Sequence, residues 1–415
     1  MENLNRIGQR AKNASKELAL LSGEQKNAFL SLAAEALMSS ARIIIGENET
    51  DCKNARNAGV KKSFLDRLLL TQKRIEDMAD GLTALAAQKN PIGDVENVRT
   101  LDNGLIIGQK RVPLGVVAII YEARPNVTSD AFGICFKSGN ACILRGGKEA
   151  FRSNLAIVSV LRGALKNCGY NENMLQMLED LSRETTEQLM KLNQYVDVLI
   201  PRGGAHLIDT VTKNATVPVI ETGVGNCHIY VDESASFEMA RDIIINAKTQ
   251  RPGVCNAVEK LLIHADITRE FLPFICDALK EESVELRGDF DAKAIYPDII
   301  AVTEEDWYTE YADLIIAIKI VSDLSEAIEH IHTYSSGHSE AIITNDYFNA
   351  QQFINEVNSA CVYVNASTRF TDGGAFGLGA EIGISTQKLH ARGPMGLKEM
   401  TSSKYVIYGK GHIRQ

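Results

Sequence analysis

The sequence predicts an α/β protein with two domains, each containing a doubly wound, mostly parallel sheet. Its 415 residues are too many for one ordinary hydrophobic core. Continuous apolar runs, which are typical of strands covered on both faces, alternate with helical patterns from residue 116 onward. A second alternating block begins near residue 228, and this repetition of the pattern predicts the second domain.

The part of the chain before the first sheet is predicted to be helical up to about residue 90. Asn90-Pro91-Ile92-Gly93 ends the helical pattern because proline and glycine interrupt helices. Residues 98–112 then predict a β-hairpin, since Asn103-Gly104 is a favoured two-residue turn. A ribbon of this kind has little core of its own, and we expect it to pack on another surface, such as a second subunit.

Strand patterns follow in two groups. In the first group, helical patterns over 154–168 and 185–192 separate the candidate strands, which are 116–120, 142–144, 196–200 and 217–220. In the second group the candidate strands are 228–232, 258–264, 314–321, 341–343 and 361–364, followed by a glycine-rich run at 372–379 and a strand at 404–408. We therefore predict one domain from 1–97 and 113–228, a second from 229–386, and a ribbon from 98–112 and 400–415.

Composition disfavours several classes of function. The net charge is −9 and there is no basic run, so nucleic acid is not an expected partner. Eight cysteines without a CxxC pair and eight histidines without zinc spacing predict free thiols and no bound metal. No apolar run approaches the ~20 residues of a membrane span, and the first residues lack the apolar core of a signal peptide. We expect a cytoplasmic protein that does not enter a membrane.

Cys255 is the candidate nucleophile. A helical pattern runs into Arg251-Pro252-Gly253, which cannot continue a helix, and a strand pattern begins at Val258. The thiol is therefore predicted to lie on a sharp turn between two regular elements, which can hold it in one direction. The alternative is that Cys255 is a small buried hydrophobic residue, as lone cysteines more often are.

Two turns are candidates for binding phosphate. Arg145-Gly146-Gly147-Lys148 follows a strand and opens a helix, so it offers two cations and accessible backbone to an anion. Gly203 and Gly204 occupy the equivalent place after a later strand. The GxGxxG fingerprint is absent after the first strand, and either turn taken alone would favour a tight turn with solvated charges. Because both turns occupy equivalent places after a strand, the interpretation that they bind cofactor phosphates is favoured.

Several segments together carry a resemblance to a known family. They are Tyr121-Glu122-Ala123-Arg124-Pro125-Asn126-Val127-Thr128, Arg145-Gly146-Gly147-Lys148, Glu221-Thr222-Gly223-Val224-Gly225-Asn226-Cys227-His228 and Gln250-Arg251-Pro252-Gly253-Val254-Cys255-Asn256-Ala257. In this order they resemble the aldehyde dehydrogenase superfamily and, more closely, its γ-glutamyl phosphate reductases. The resemblance covers nearly the whole chain. It implies an aldehyde dehydrogenase-like fold in which the first domain binds NADPH, the second is catalytic, and the β-hairpin is an oligomerisation ribbon.

The resemblance implies that L-glutamyl 5-phosphate is reduced to L-glutamate 5-semialdehyde and phosphate, in proline biosynthesis, with NADPH as the cofactor. Cys255, as a thiolate of lowered pKa, would displace phosphate to give a thioester, which hydride then reduces. The resemblance also implies a homodimer or homotetramer and a transient contact with glutamate 5-kinase, which makes the acyl phosphate.

The resemblance implies roles for further residues around the thioester. The side chain of Asn126 and the backbone N–H of Cys255 are candidate donors to the oxyanion. An equal alternative is that Asn126 caps the helix that follows it. Glu310 resembles the glutamate that holds the nicotinamide ribose hydroxyls, or else it belongs to a solvated acidic stretch.

Charged residues are candidates for holding the substrate and the cofactor. Arg369 and Arg124 are rival cations for the α-carboxylate of the substrate. Arg145 and Lys148 would meet the extra phosphate of NADPH. Glu221 resembles the general base of hydrolytic aldehyde dehydrogenases, but a reductase that releases phosphate has no need of an activated water. We therefore predict that Glu221 is structural.

Two other functions fit parts of the same pattern. An NAD(P)-dependent aldehyde dehydrogenase would lose its thioester to water, and its oxidation of aldehyde would not require phosphate. An inactive member of the fold would serve as a binding or scaffold subunit. A reactive Cys255 thiol argues against this second alternative.

Overall fold

The computed structural model describes residues 4–414, and at 62 and 63 it describes the backbone alone. Residues 1–3 and 415, at the ends of the predicted first domain and ribbon, therefore lie outside the described residues. The chain divides into two compact units. Unit 1 comprises Met1–Glu221, Gly377–Gly383 and Met395–Gln415, and unit 2 comprises Thr222–Phe376 and Ile384–Pro394.

Helices fill the first part of the chain, and strands alternate with helices after it. The helices are α1 (Leu4–Leu18), α2 (Gly23–Ser39), α3 (Ala41–Asn57), α4 (Lys62–Leu68), α5 (Gln72–Ala87), α6 (Asn126–Lys137), α7 (Phe151–Asn167), α8 (Arg183–Leu189), α9 (Ala205–Asn214), α10 (Phe237–Thr249), α11 (Thr268–Glu281), α12 (Phe290–Ile295), α13 (Glu304–Tyr308), α14 (Leu324–Tyr334) and α15 (Tyr347–Glu356). Within residues 4–414, no single helix has the length and hydropathy to cross a membrane, and α2 with α3 passes that test only as a pair bent by 63°.

The strands belong to four sheets. They are β1 (Val95–Thr100), β2 (Ile106–Pro113), β3 (Val116–Tyr121), β4 (Ala141–Arg145), β5 (Leu175–Met177), β6 (Val198–Arg202), β7 (Cys227–Val231), β8 (Val258–His264), β9 (Glu285–Gly288), β10 (Ile300–Ala301), β11 (Ile315–Val321), β12 (Ser339–Ile343), β13 (Cys361–Val364), β14 (Ile384–Ser385), β15 (Gly393–Pro394) and β16 (Thr401–Tyr408). Strands β14 and β15 pair only with each other, and the other three sheets organise the two units.

Unit 1 contains a four-stranded parallel sheet in the order β5-β4-β3-β6. Every residue of β3 is buried, as its continuous apolar run predicts. The strand predicted at 217–220 is wrong in extent, because this run forms only an isolated bridge between Leu199 and Val219. Pro218 explains the difference, since it accepts a hydrogen bond from Leu199 but has no N–H to continue a ladder.

Asn140 joins three parts of unit 1. Its Oδ1 accepts a hydrogen bond from the Gly115 N–H, and its Nδ2 donates to Ser138 Oγ and to the Met400 carbonyl, each at 2.8 Å. The side chain is only 1% exposed. Buried hydrogen bonds from one amide therefore hold together the entry to β3, the end of α6 and the chain that leads into β16.

The predicted hairpin is confirmed, and it is part of a three-stranded antiparallel ribbon. Arg99 lies opposite Ile107 in the β1–β2 pair, and β16 pairs along the other edge of β2. The ribbon exposes large apolar side chains, among them Val98 (60% exposed), Tyr405 (66%) and Ile407 (59%). An apolar face of this kind is typical of a surface that another protein covers.

Unit 2 contains a seven-stranded parallel sheet in the order β10-β9-β11-β8-β7-β12-β13. The central strands β7 and β8 are buried along their whole length. Two apolar clusters pack on this sheet, one around Phe271 and Leu272 and one around Ile328 and Phe353. Two parallel sheets with helices between their strands confirm the predicted doubly wound α/β fold.

Replacing Asn140 with alanine tests the buried connection in unit 1. The change leaves the Gly115 N–H and the Met400 carbonyl without partners, and we expect the free energy of unfolding to fall by about 3 kcal/mol. Guanidinium-induced unfolding measures this loss. Asn57→Ala, at an exposed position in α3, is the matched control and should change the midpoint little. Equal midpoints for the two variants would contradict the proposed role of Asn140.

Candidate active site

Cys255 lies on a turn in unit 2, as predicted. Helix α10 ends at Thr249 and strand β8 begins at Val258, so the intervening residues reverse the chain direction between two regular elements. The Cys255 side chain is half-buried. It is therefore accessible to a ligand and held by a rigid frame, and the alternative of a fully buried hydrophobic cysteine is wrong.

The loop 222–226 contacts the backbone of Cys255 directly. A Cβ atom at position 225 would overlap the carbonyl group of Cys255, so only glycine allows this approach. Cys227 Sγ donates to the same carbonyl oxygen at 3.1 Å. Burial raises the pKa of Cys227 well above its ordinary value, which keeps it a thiol and a donor. Cys227 thus supports the turn, and the half-buried Cys255 stays the predicted nucleophile.

Side chains and backbone of unit 2 fix this loop from the opposite side. Asn226 Nδ2 donates to the carbonyl oxygens of Trp307 and Tyr334 at 2.7 and 2.8 Å. Glu310 Oε1 accepts a hydrogen bond from the Gly225 N–H at 3.0 Å. Glu310 is half-buried and engaged in this contact, so the alternative of a solvated acidic face is wrong for it. Its predicted contact with a ribose stays a prediction.

Arg369 is held beside the residues that flank Cys255. Its Nε donates to Gln250 Oε1 at 3.0 Å, and its Nη1 donates to Asn256 Oδ1. Asn256 is tied to the same segment, since its carbonyl oxygen accepts from Thr368 Oγ1 at 2.7 Å. Burial lowers the pKa of Arg369, yet a guanidinium stays charged at any physiological pH. A fixed cation beside the Cys255 turn suits the predicted substrate carboxylate.

Asn126 and Arg124 lie in unit 1 at the start of α6. The cap residue of this helix is Pro125, and Asn126 is the first helical residue, so the alternative that Asn126 caps the helix is wrong. Asn126 Nδ2 donates to Asp130 Oδ2 at 3.0 Å. An amide nitrogen has two N–H donors, so this bond leaves one for a substrate oxygen. The oxyanion role of Asn126 and the substrate role of Arg124 stay predictions.

The turn Arg145-Gly146-Gly147-Lys148 divides its two cations between different environments. Arg145 Nε donates to Thr186 Oγ1 and its Nη2 donates to the Leu181 carbonyl, both at 3.0 Å, and burial lowers its pKa. Lys148 is exposed. Arg145 thus fastens the end of β4 to the region of α8, and Lys148 is the cation that the turn presents outward.

The turn at Gly203 and Gly204 already has an anion beside it. Glu122 Oε2 accepts a hydrogen bond from the Gly204 N–H at 3.2 Å, at the N-terminus of α9. A cofactor phosphate bound here would share that helix end with a carboxylate, which is unfavourable. A carboxylate also lies beside the turn at 145–148, where Gly147 approaches Glu149 and both glycines are buried. The phosphate roles of both turns stay predictions.

Glu233, His264 and Asp266 also lie close together, with possible ligand atoms within 4.8 Å of one another. His264 Nδ1 accepts a hydrogen bond from the Asp266 N–H at 3.1 Å. This hydrogen bond occupies the Nδ1 lone pair, so Nδ1 is not open to a metal. We assign no metal to this group.

Comparison with known proteins identifies the family. Residues 1–295 match the model of the aldehyde dehydrogenase family. The γ-glutamyl phosphate reductase of Clostridium botulinum is 60% identical over 407 residues, which is 98% of each chain. The enzyme of the same name from Lachnospira eligens is 56% identical over the full length of both chains. The chain belongs to the γ-glutamyl phosphate reductase family of aldehyde dehydrogenases.

Solved structures agree with this family assignment. The crystal structure of γ-glutamyl phosphate reductase from Thermotoga maritima has a TM-score of 0.97 at 49% identity, and each chain is covered completely. An acetylating aldehyde dehydrogenase from Geobacillus thermoglucosidasius has a TM-score of 0.72 at 18% identity, covering 99% of this chain and 97% of that one. This second likeness shows a shared fold. The resemblance predicted from the sequence is confirmed.

Sequence reasoning missed the residues that hold the Cys255 turn in place. Gly225, Cys227 and Asn256 lie in the segments that carry the family resemblance, but a segment does not say which of its residues touch each other. The spacing Gly223-x-Gly225 before a strand was a usable signal, because glycine there often marks a close approach of two backbones.

Gly225→Ala tests whether this approach positions the nucleophile. The added Cβ overlaps the Cys255 carbonyl and must displace the loop or the turn, so we expect kcat/KM to fall by about 100-fold. Steady-state assays and the rate of Cys255 alkylation measure the effect. The control is Gly163→Ala in α7, where the added Cβ meets nothing within 4 Å. If a folded Gly225→Ala enzyme had wild-type kinetics, the contact between Gly225 and Cys255 would not be needed for activity.

Proposed function

We propose that this protein reduces L-glutamyl 5-phosphate to L-glutamate 5-semialdehyde with release of phosphate, as a step of proline biosynthesis. The observation that carries the proposal is the Cys255 turn, where a half-buried thiol directly precedes Asn256, whose Oδ1 accepts a hydrogen bond from Arg369 Nη1. Reductases of this name that are 56% to 60% identical over at least 98% of the chain support the substrate assignment.

The residues of unit 2 suit an acyl transfer to sulfur. The Cys255 thiolate attacks the acyl carbon, the C–S bond forms, and the bond to the phosphate oxygen breaks as phosphate leaves. Arg369 would hold the α-carboxylate of the substrate, and the Cys255 N–H with Asn126 would donate to the oxyanion. After reduction, the thiohemiacetal collapses to the aldehyde and regenerates the thiolate.

The cofactor proposed for this reaction is NADPH, which supplies the hydride that reduces the thioester. In unit 1, the exposed Lys148 and the backbone of Gly146 and Gly147 would bind its phosphates, with Lys148 meeting the extra one. In unit 2, Glu310 would hold the nicotinamide ribose. Arg145 is engaged with Thr186 and Leu181, so its part is to shape the turn.

Assembly and location complete the proposal. The ribbon exposes Val98, Tyr405 and Ile407, and a second copy of the chain would cover these apolar side chains in a homodimer or homotetramer. We further propose a cytoplasmic enzyme that receives its labile acyl phosphate from glutamate 5-kinase through a transient contact.

Phosphate dependence distinguishes this reaction from hydrolysis. Run backward, with glutamate 5-semialdehyde and NADP⁺, the enzyme should form more than one equivalent of NADPH per Cys255 only when phosphate is present, because phosphate must take the acyl group from Cys255 before the next turnover. Absorbance at 340 nm follows the reaction. Sustained NADPH formation without phosphate would instead support a hydrolytic aldehyde dehydrogenase.

Two variants complete this experiment. Cys255→Ala should abolish activity in both directions, because the thioester cannot form, and residual turnover would exclude a covalent mechanism. Glu221→Ala should keep the reductase reaction, because no activated water is needed. Loss of reduction in a folded Glu221→Ala enzyme would refute its predicted structural role.

Cofactor choice tests the different roles of the two cations in the turn. Lys148→Met should raise the KM for NADPH by about 10- to 100-fold, the value of a charge-assisted hydrogen bond, and leave the KM for NADH nearly unchanged. Arg145→Lys should weaken both cofactors alike, because it loosens the turn itself. Equal losses for NADPH and NADH in Lys148→Met would refute the assignment of Lys148.

A further inference from the structure

Unit 2 buries three charged side chains close to the Cys255 turn that the proposed reaction does not use. Lys248, in the last turn of α10, and Glu259 and Lys260, at the start of β8, are all 0% exposed. Buried charges are costly unless they are paired and hydrogen-bonded. Three of them within one short stretch therefore need an explanation.

Their hydrogen bonds converge on one segment, 309–312. Lys248 Nζ donates to Glu259 Oε2 at 3.0 Å and to the Val258 carbonyl at 2.9 Å, which fixes the Glu259 carboxylate. The other oxygen, Glu259 Oε1, accepts a hydrogen bond from the Ala312 N–H at 3.2 Å. On the other side of the segment, Lys260 Nζ donates to the Thr309 carbonyl at 2.8 Å.

Further contacts make the segment rigid. The Lys260 ammonium lies 4.6 Å from the centre of the Tyr311 ring, and the Tyr311 hydroxyl donates to Asp306 Oδ1 at 2.8 Å. Ala312 has a positive φ of 52°, which is strained for a residue with a side chain. Strained backbone persists where its surroundings hold it, and here the Glu259 carboxylate binds the N–H of that residue.

The clamped segment carries Glu310 between its two fixed ends. Glu310 Oε1 accepts from the Gly225 N–H at 3.0 Å, and Gly225 contacts the Cys255 carbonyl group. A continuous path of contacts therefore leads from the buried charges through Glu310 to the backbone of the nucleophile. Its links are hydrogen bonds and one close backbone approach, all within unit 2.

We propose that Glu259 and Lys260, with Lys248 behind them, are positioning residues that hold Glu310 at one orientation and thereby set both the ribose contact and the loop against Cys255. The part that concerns the ribose rests on the proposed function. The part that concerns the loop rests on the contacts of unit 2 alone. Both side chains are 0% exposed, so in this proposal they act through Glu310.

Lys260→Met is the principal test, because it removes the donor to Thr309 and keeps most of the side-chain volume. In the absence of cofactor, hydrogen–deuterium exchange should become at least ~10-fold faster in peptides that contain residues 309–312 and Gly225, because their hydrogen bonds open more often. The matched control is Lys26→Met, which removes another fully buried lysine in unit 1 and should leave these peptides unchanged. Unchanged exchange in folded Lys260→Met would overturn the proposal.

A double-mutant cycle with Glu310→Gln tests the functional part. NADPH fluorescence should report binding that is about 10-fold weaker in Lys260→Met and in Glu310→Gln, and no more than slightly weaker again in the double variant. Additive losses, about 100-fold in the double variant, would mean that Lys260 does not act through Glu310 and would overturn the proposal. If Lys260→Met fails to fold, Glu259→Gln, which keeps the side-chain volume and an acceptor oxygen, takes its place in both measurements.

Hydrogen–deuterium exchange and NADPH binding distinguish a failure of the positioning role from a failure of the proposed ribose contact. Wild-type NADPH binding by Glu310→Gln would refute the ribose role of Glu310 and with it that part of the proposed function. The exchange rates at 309–312 and Gly225 would still decide whether the buried charges position the loop.

Discussion

The close approach of Gly225 to the Cys255 carbonyl is the contact on which the site depends. A nucleophile on a turn has no ladder of backbone hydrogen bonds to fix it, so its direction must come from neighbouring segments. Here the neighbour is backbone at a distance that excludes a side chain. Cys227 adds a hydrogen bond to the same carbonyl, and Asn226 and Glu310 fix the loop from behind. Cys255 is thus positioned through its backbone carbonyl group.

The buried charges behind Glu310 are poorly explained as a source of stability. Burial raises the pKa of Glu259 to about 7 and lowers that of Lys260 to about 8, so desolvation outweighs the attraction between the opposite charges. Apolar residues of similar volume often replace such pairs without loss of stability. Apolar residues, however, cannot supply hydrogen bonds, which have a fixed direction. The hydrogen bonds of Glu259 and Lys260 therefore fit a role in holding the segment 309–312 in one orientation.

The regular elements that the sequence predicts are those with a long, continuous apolar run. Strand β3 is of this kind, since both of its faces are buried. Short strands such as β5 and β10 carry too few residues for a pattern, and Pro218 interrupts a ladder in a run that otherwise has the composition of a strand. The turn that carries Cys255 could be predicted because Pro252 and Gly253 end the helical pattern before it.

Contacts between distant segments were not predictable from one sequence. Asn256 is bound by Thr368, 112 positions later, and Gly225 by Glu310, 85 positions later. No periodicity or spacing records such pairs, because they arise only when the sheet of unit 2 brings the ends of different strands together. For the same reason, the sequence could not show that Arg145 is engaged and Lys148 is exposed, although they are three residues apart.

Unit 1 is built from segments that lie far apart in the sequence, so part of its ribbon is synthesised long before its partner strand. Gln109 of β2 pairs with Tyr405 of β16, which follows it by 296 positions. At ~5 to 20 residues per second, a ribosome needs roughly 15 to 60 s to synthesise that interval. During this time the outer edge of β2 has no partner strand, and unpaired edges pair readily with other chains. The ribbon is therefore the part of a nascent polypeptide that chaperones would most need to protect.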